Sequence, residues 1–319
     1  MPTDEASVQL PLLRIVNRGV SALIKASVVQ YREHEQLGIV TLNRPHKRNA
    51  LTAEMVQGVA DAIAQASASA DVSAIVLRGA GGALTAGYDL SAADEFSGPT
   101  EPASWPSPYG APGPEPRAGN WDPVRDYQFM NLNVQRFMSL WDSPKPVLAE
   151  ITGWAIGGAT DLVMCADLLF MANDAHIGYA PSRIYGLPTT MMWIHRLGLE
   201  HAKQYLLTGR AIDALTAHRI GLVSEVHPAS ELSNAVEAEA RRLASIPSNQ
   251  LALNKMLINQ AYENMGLRTT QMLGTLFDGM ARHSEEALRW TEGAAERGLK
   301  DAIAKRDGPW QDYGQAPRD

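Results

Sequence analysis

The sequence predicts an α/β core followed by a helical C-terminal third. Strand-like and helix-like patterns alternate from residue 28 to about residue 225, and no strand pattern recurs after Ala229. Two glycine-bearing turns, Leu84-Thr85-Ala86-Gly87-Tyr88-Asp89-Leu90 and Gly153-Trp154-Ala155-Ile156-Gly157-Gly158-Ala159-Thr160-Asp161-Leu162, each follow a short apolar run of strand type. The second turn leads straight into a helical pattern. At 319 residues with 45% hydrophobic side chains the chain can build a core without staples. We read residues 1–27 as an N-terminal extension, 28–228 as the α/β core and 229–319 as the helical region.

The first elements are a hairpin, with Val28 to His34 and Ile39 to Leu42 around a turn at Gln36-Leu37-Gly38. Asn43-Arg44-Pro45 ends it. Thr52 then caps a helix whose apolar series runs Met55, Val56, Val59, Ala60 and Ile63. Strands follow at Ala74 to Leu77, Val147 to Thr152 and Leu168 to Ala172. Between Ser97 and Arg125 the chain is rich in proline and glycine and carries Trp105, Tyr109 and Trp121, which reads as a long loop or lid. A short helix from Leu90 to Phe96, capped by Asp89, precedes it. The last third reads as helices over Glu231 to Ser245, Asn249 to Asn264, Thr269 to His283 and Glu285 to Ile303. Met256, Leu257, Met265, Met272, Leu273 and Phe277 form apolar stripes there that suit core, subunit interface or both.

Composition excludes several classes. The net charge of -7 disfavours nucleic acid as a bulk partner, because phosphate binding needs clustered cations. No apolar run approaches the roughly 18 residues of a membrane span. A single cysteine, Cys165, forbids an internal disulfide and paired-cysteine metal sites, and we expect no metal, a cytoplasmic setting and a core role for that thiol. The peptide Leu77-Arg78-Gly79-Ala80-Gly81-Gly82 lacks the third glycine of a dinucleotide loop, and no Walker A loop, zinc helix motif or nucleophile elbow occurs.

Two glycine turns that end strands can aim two backbone N–H groups at one oxygen, and a helix N-terminus adds unpaired donors and a positive dipole end. Stabilising a thioester enolate requires such an arrangement.

Several motifs occur in a fixed order: Leu42-Asn43-Arg44-Pro45 with Lys47-Arg48-Asn49-Ala50-Leu51; Ala86-Gly87-Tyr88-Asp89-Leu90; Lys145-Pro146-Val147 leading into Ile156-Gly157-Gly158; Leu206-Leu207-Thr208-Gly209-Arg210-Ala211-Ile212 with Ile220-Gly221-Leu222-Val223; and Lys305-Arg306. As a set they resemble the crotonase family, also called the enoyl-CoA hydratase/isomerase family, over roughly residues 28–310. The resemblance implies a ββα spiral core, a helical trimerisation region giving a homotrimer or homohexamer, and an acyl-CoA substrate that carries coenzyme A as part of itself, with no cofactor. It implies that the Tyr88 and Gly158 N–H groups form the oxyanion hole. Lys47, Arg48, Asn49 and Ala50, together with Ala86, Tyr88, Asp89 and Leu90, correspond to the CoA-contacting stretches.

Hydratases of the family resemble one another in carrying two glutamates around a water. The first position here is Asp161, three residues after Gly158, which is either an acid–base group or an ordinary first-turn acid facing the helix dipole. The second falls in Gly178-Tyr179-Ala180-Pro181-Ser182-Arg183-Ile184-Tyr185-Gly186, where Ser182 takes the place of the glutamate. Neither Ser182 nor Arg183 can stand in for a carboxylate, although a cation at Arg183 can steady an enolate. Glu150, a charge inside a strand, and His176 are further candidates for the missing group; an ion pair and a structural imidazole are their plainer readings. A lone acid–base at Asp161 suits isomerisation better than hydration. Hydrolase and decarboxylase chemistry, or CoA binding with little turnover, stay open, and the acidic balance argues against RNA binding.

Overall fold

The structure, a computed structural model, describes residues 27–89 and 121–313. The main sheet runs, in spatial order, β1 (Val29–His34), β2 (Leu37–Leu42), β3 (Ala74–Gly79), β4 (Val147–Ile151), β6 (Leu168–Ala172) and β9 (Glu225–His227). Only β1 and β2 pair antiparallel; the other neighbours are parallel. A second sheet pairs β5 (Trp154–Ile156) parallel with β7 (His176–Gly178), and β7 antiparallel with β8 (Ala211–Asp213). All five residues of β4 are buried, as expected for a parallel strand covered on both faces.

The first hairpin turns earlier than its glycine suggests. Glu35 and Gln36 both take positive φ, 48° and 67°, and form a two-residue turn, while Leu37 and Gly38 belong to β2. Gly38 is needed for space instead: a Cβ there would stand 3.1 Å from the Ala66 Cβ. Helix α1 (Ala53–Ala68) starts as read, with the Thr52 hydroxyl accepting the Met55 N–H at 3.2 Å. The long loop ends before Arg125, because Asp122 caps α2 (Pro123–Asp142) by accepting the Val124 and Arg125 N–H groups. The rest of that loop, the Leu90 to Phe96 helix and almost all of the N-terminal extension lie outside the described residues.

The remaining helices are α3 (Gly158–Val163), α4 (Met192–Thr208, kinked at Gly198), α5 (Ala214–Arg219), α6 (Leu232–Ala244), α7 (Ser248–Asn264), α8 (Leu267–Arg282), α9 (Glu285–Arg297) and α10 (Leu299–Asp307). The sequence pattern over Glu285 to Ile303 predicts one helix where the structure has these last two. Gly298, at φ 95°, breaks it. The helical third is not a separate body: α6 buries Leu232, Val236 and Ala240 against β3 and β4, and α8 packs on α2. The six stripe residues, by contrast, are 41% to 73% exposed, so they are not core of this chain. Cys165 is fully buried among core residues, and burial pushes its thiol up.

Candidate active site

The two glycine turns meet. The Leu84 N–H donates to the Thr152 carbonyl, Thr85 bridges Ala155, and Tyr88 bridges Leu51 on the other side. Gly87 C=O accepts from Leu51 N–H, and Asp89 N–H donates to Leu51 C=O. Strand alternation therefore turns the Tyr88 N–H away from Leu51. Gly87, at φ 85°, faces the second turn so closely that a Cβ would run into the Ile156 carbonyl oxygen and stand 3.5 Å from the Gly158 nitrogen. Gly157, at φ 58°, bends the chain into α3, and a Cβ on Gly158 would lie 2.5 Å from Tyr88 Cε2. Backbone of the second turn and the Tyr88 ring thus share one surface because glycine occupies all three positions.

That surface forms one wall of a cavity of about 320 Å³. Tyr88, Gly158 and Asp161 supply the wall from the α/β core; Asp278 and Arg282 of α8 supply another; Trp290 of α9 belongs to its largely apolar remainder.

Asp161 sits in the first turn of α3 and is 1% exposed. Its Oδ1 accepts both the Thr190 N–H and the Thr190 hydroxyl at 2.9 Å. Burial pushes the carboxyl up to about 7 against the pull of these hydrogen bonds, and the nearby Asp278 adds to the rise. A carboxyl that titrates near neutrality can give and take a proton under ordinary conditions. Neighbouring groups hold the arrangement. Gln271 of α8 donates to the Thr190 carbonyl at 2.9 Å, and Trp193 Nε1 donates to Thr160 Oγ1 at 3.0 Å.

Asp278 was not among the residues the sequence singled out. Its Oδ1 accepts the Leu187 N–H at 2.9 Å, and its Oδ2 accepts from Arg282 Nε at 2.8 Å. The other end of that guanidinium binds Asp126 of α2 at 2.8 Å. Gly279 makes room for the pair, since a Cβ there would run into Asp126 Oδ2. The only sequence signal is an Asp and an Arg four apart on a helix, which ordinarily marks a solvated face. Here all three side chains are at most 12% exposed. Arg282→Met would strand two buried carboxylates, and denaturant unfolding is expected to show a loss of about 3–5 kcal/mol. A loss below 1 kcal/mol would mean that the ions are solvated.

The structure brings Tyr88, Asp89, Gly158 and Asp161 to one cavity and sets the other candidates elsewhere. Asp89 accepts from Arg44 Nη2 at 2.7 Å. The loop carrying Lys47 and Arg48 presents both on the surface, and it is tied to the first turn: the Ala86 N–H donates to the Arg48 carbonyl. Asn49 is wholly buried, with its amide nitrogen donating to the Ala80 and Ala83 carbonyls and its Oδ1 accepting the Arg44 N–H, so it cross-links the loop instead of facing outward; Ala50 is buried beside it. Leu90 lies outside the described residues.

Glu150 faces α6, where Oε2 accepts from Ser233 at 2.7 Å and Arg78 stands 3.5 Å from Oε1. His176 stacks on Trp154 at 4.6 Å between centroids. Arg183 pairs with Asp307 and Asp312 beneath Trp310, clamping the C-terminal segment. Ser182 sits in the same 3-10 turn as Arg183, Ala180–Arg183, and does not line the cavity. None of the four reaches the cavity that holds Asp161.

Two glycine turns converge beside a buried carboxyl in one cavity of a mixed α/β scaffold. Comparison with known proteins specifies the class. The family model described as enoyl-CoA hydratase/isomerase matches residues 32–105 and 119–312. The chain is similar to the enoyl-CoA hydratase of Mycobacterium smegmatis, solved as a crystal structure (iodide soak), at 33% identity and TM-score 0.82, covering 92% of this chain and 98% of that one. An enoyl-CoA hydratase/isomerase structure from Xanthobacter autotrophicus Py2 gives 27% identity and TM-score 0.75 over 89% and 98% of the two chains. A protein of Mycobacterium bovis named "Probable enoyl-CoA hydratase echA8" is 27% identical over 279 residues, 85% of this chain and 93% of its own length. The chain belongs to the enoyl-CoA hydratase/isomerase family and is an enzyme of that type.

Proposed function

We propose that the protein binds an acyl-CoA thioester, holds the thioester oxygen with the Tyr88 and Gly158 N–H groups, and moves a proton with Asp161. The observation that carries this reading is the position of Asp161, a buried carboxyl that titrates near neutrality one helical turn from Gly158 and in the same cavity wall. As negative charge develops on the thioester oxygen, preorganised N–H donors in a dry site stabilise it more than water would. Tyr88 and Tyr179 border the same space; burial, then the Asp161 and Asp278 charges, push both phenols up, so they stay protonated and act as donors.

Coenzyme A enters as part of the substrate, with Lys47 and Arg48 on the surface loop suited to its phosphates. No helix of the described residues is long and apolar enough to cross a membrane. The single cysteine, which suits a reducing compartment, supports a cytoplasmic setting.

The test is product analysis by mass spectrometry after incubation with a panel of 2-enoyl-CoA thioesters in water and in deuterium oxide. Added water, deuterium incorporation or a shifted double bond each supports the reading. Inertness of every thioester on both counts would refute it.

The exposed Met256, Leu257, Met265, Met272, Leu273 and Phe277 support assembly as a homotrimer or homohexamer. Light scattering is expected to give three or six times the 34.6 kDa chain mass. A monomer would leave those apolar faces without their proposed cover.

A further inference from the structure

The segment in which the second carboxylate would be sought, residues 178–186, contains none. A carboxylate nevertheless stands against it. Asp278 Oδ1 accepts the N–H of Leu187, the residue after the segment, and lies 3.5 Å from where a Cβ on Gly186 would be. It reaches that place from α8, nearly a hundred residues downstream, and it lines the same cavity as Asp161 and Tyr88. We propose that Asp278 is the second proton-transfer group of the site, acting as the base that lets the cavity add water across the double bond of a 2-enoyl-CoA thioester. The inference rests on the acyl-CoA reading above and deepens it.

Three features fit Asp278 to that task. Each oxygen takes one fixed donor, Leu187 N–H or Arg282 Nε, and a carboxylate oxygen accepts more than one hydrogen bond, so both retain capacity for a water. Arg282, itself held by Asp126, fixes the Asp278 carboxyl in place through a charge-assisted hydrogen bond. Asp161, across the cavity, is the complementary partner: its faces meet Thr190, the Asp278 charge, and the phenols of Tyr88 and Tyr179, and its own backbone carbonyl accepts the Cys165 thiol. Two carboxyls in one cavity with unlike surroundings divide into an acid and a base.

The step balances. Ionised Asp278 takes a proton from water as the water oxygen bonds to the β-carbon. The double-bond electrons move onto the thioester oxygen as an enolate. Protonated Asp161 delivers its proton to the α-carbon as the enolate collapses to the thioester. One water has been added, Asp278 ends protonated and Asp161 ionised, and proton exchange with solvent restores both.

The experiment compares the full-length wild type, Asp278→Asn and Asp278→Glu. Water addition to the 2-enoyl-CoA panel is read by product mass, and α-deuteration of the matching saturated acyl-CoA in deuterium oxide is read alongside it. We expect Asp278→Asn to lose water addition by about 10²-fold or more while α-deuteration through Asp161 persists, and Asp278→Glu to recover part of the addition rate. Retained α-deuteration shows that the variant is folded, and a merely structural role would lose both reactions together. Water addition by Asp278→Asn at the wild-type rate, loss of both reactions in parallel, or a wild type that deuterates without ever adding water would overturn the proposal. A wild type inert in both reactions would instead refute the acyl-CoA reading beneath it.

Discussion

Asp161→Asn is expected to lower turnover of an enoyl-CoA thioester by about 10²–10⁴-fold while CoA binding persists. The amide keeps an oxygen to accept the Thr190 N–H and hydroxyl, so the wall geometry survives and only the exchangeable carboxyl proton is removed. An unchanged rate would take Asp161 out of the mechanism and favour a CoA-binding protein with little turnover. The same substitution has a second signature. Asp161 rises from 3.8 to about 7 on folding, so between those values the folded state holds a proton that the unfolded state has released. Stability therefore falls as pH rises through that window. At about 1.4 kcal/mol for each tenfold change, the ceiling is about 4 kcal/mol, to be reached only above pH 7. The asparagine variant escapes that cost: its melting temperature should exceed the wild type's at pH 8, with the gap closing toward pH 4. A gap that does not depend on pH would assign the effect to packing.

Gly87→Ala is the second large effect. A side chain at φ 85° costs about 1–2 kcal/mol on its own. Its Cβ also meets the Ile156 carbonyl oxygen, a backbone atom of a buried turn that cannot swing aside. The two turns must then separate, which would move the Tyr88 N–H, one of the two donors proposed above, away from the Gly158 turn. Loss of one aligned donor is expected to lower kcat by about 10²–10³-fold, with a melting temperature lowered by several degrees. If the melting temperature falls and kcat does not, the turns are a folding element only and the oxyanion hole lies elsewhere.

The α/β order, the Thr52 cap and both glycine turns were legible because each rests on local chemistry: period-2 apolar runs, a hydroxyl ahead of a helix, and glycine where φ must be positive. The hairpin register was misplaced because Glu35 and Gln36, not glycine, take the left-handed conformations. Asp161 was legible through its spacing from Gly158. Asp278 was not, for its meaning depends on burial and on Asp126, 152 residues away, and an Asp and Arg four apart on a helix look the same in solvent as in a core. Glu150 shows the converse. Its place inside β4 marked it as unusual, yet the partners that explain it, Ser233 and Arg78, lie on elements whose packing no linear pattern discloses.

Helix α8 presents Asp278 and Arg282 to the cavity and Met272, Leu273, Phe277 and Met280 to the outside. A helix this short moves as a rigid rod, so its two sides cannot be adjusted separately. A second copy of the chain resting on the outer methionines and phenylalanine, as proposed above, would therefore bear on where the inner carboxylate stands, and with it on the span across which a bound molecule must fit. The gauge of the reaction chamber would then be set in part from a face that does not line it, and substitutions there would retune chemistry while leaving every group in the chamber unchanged.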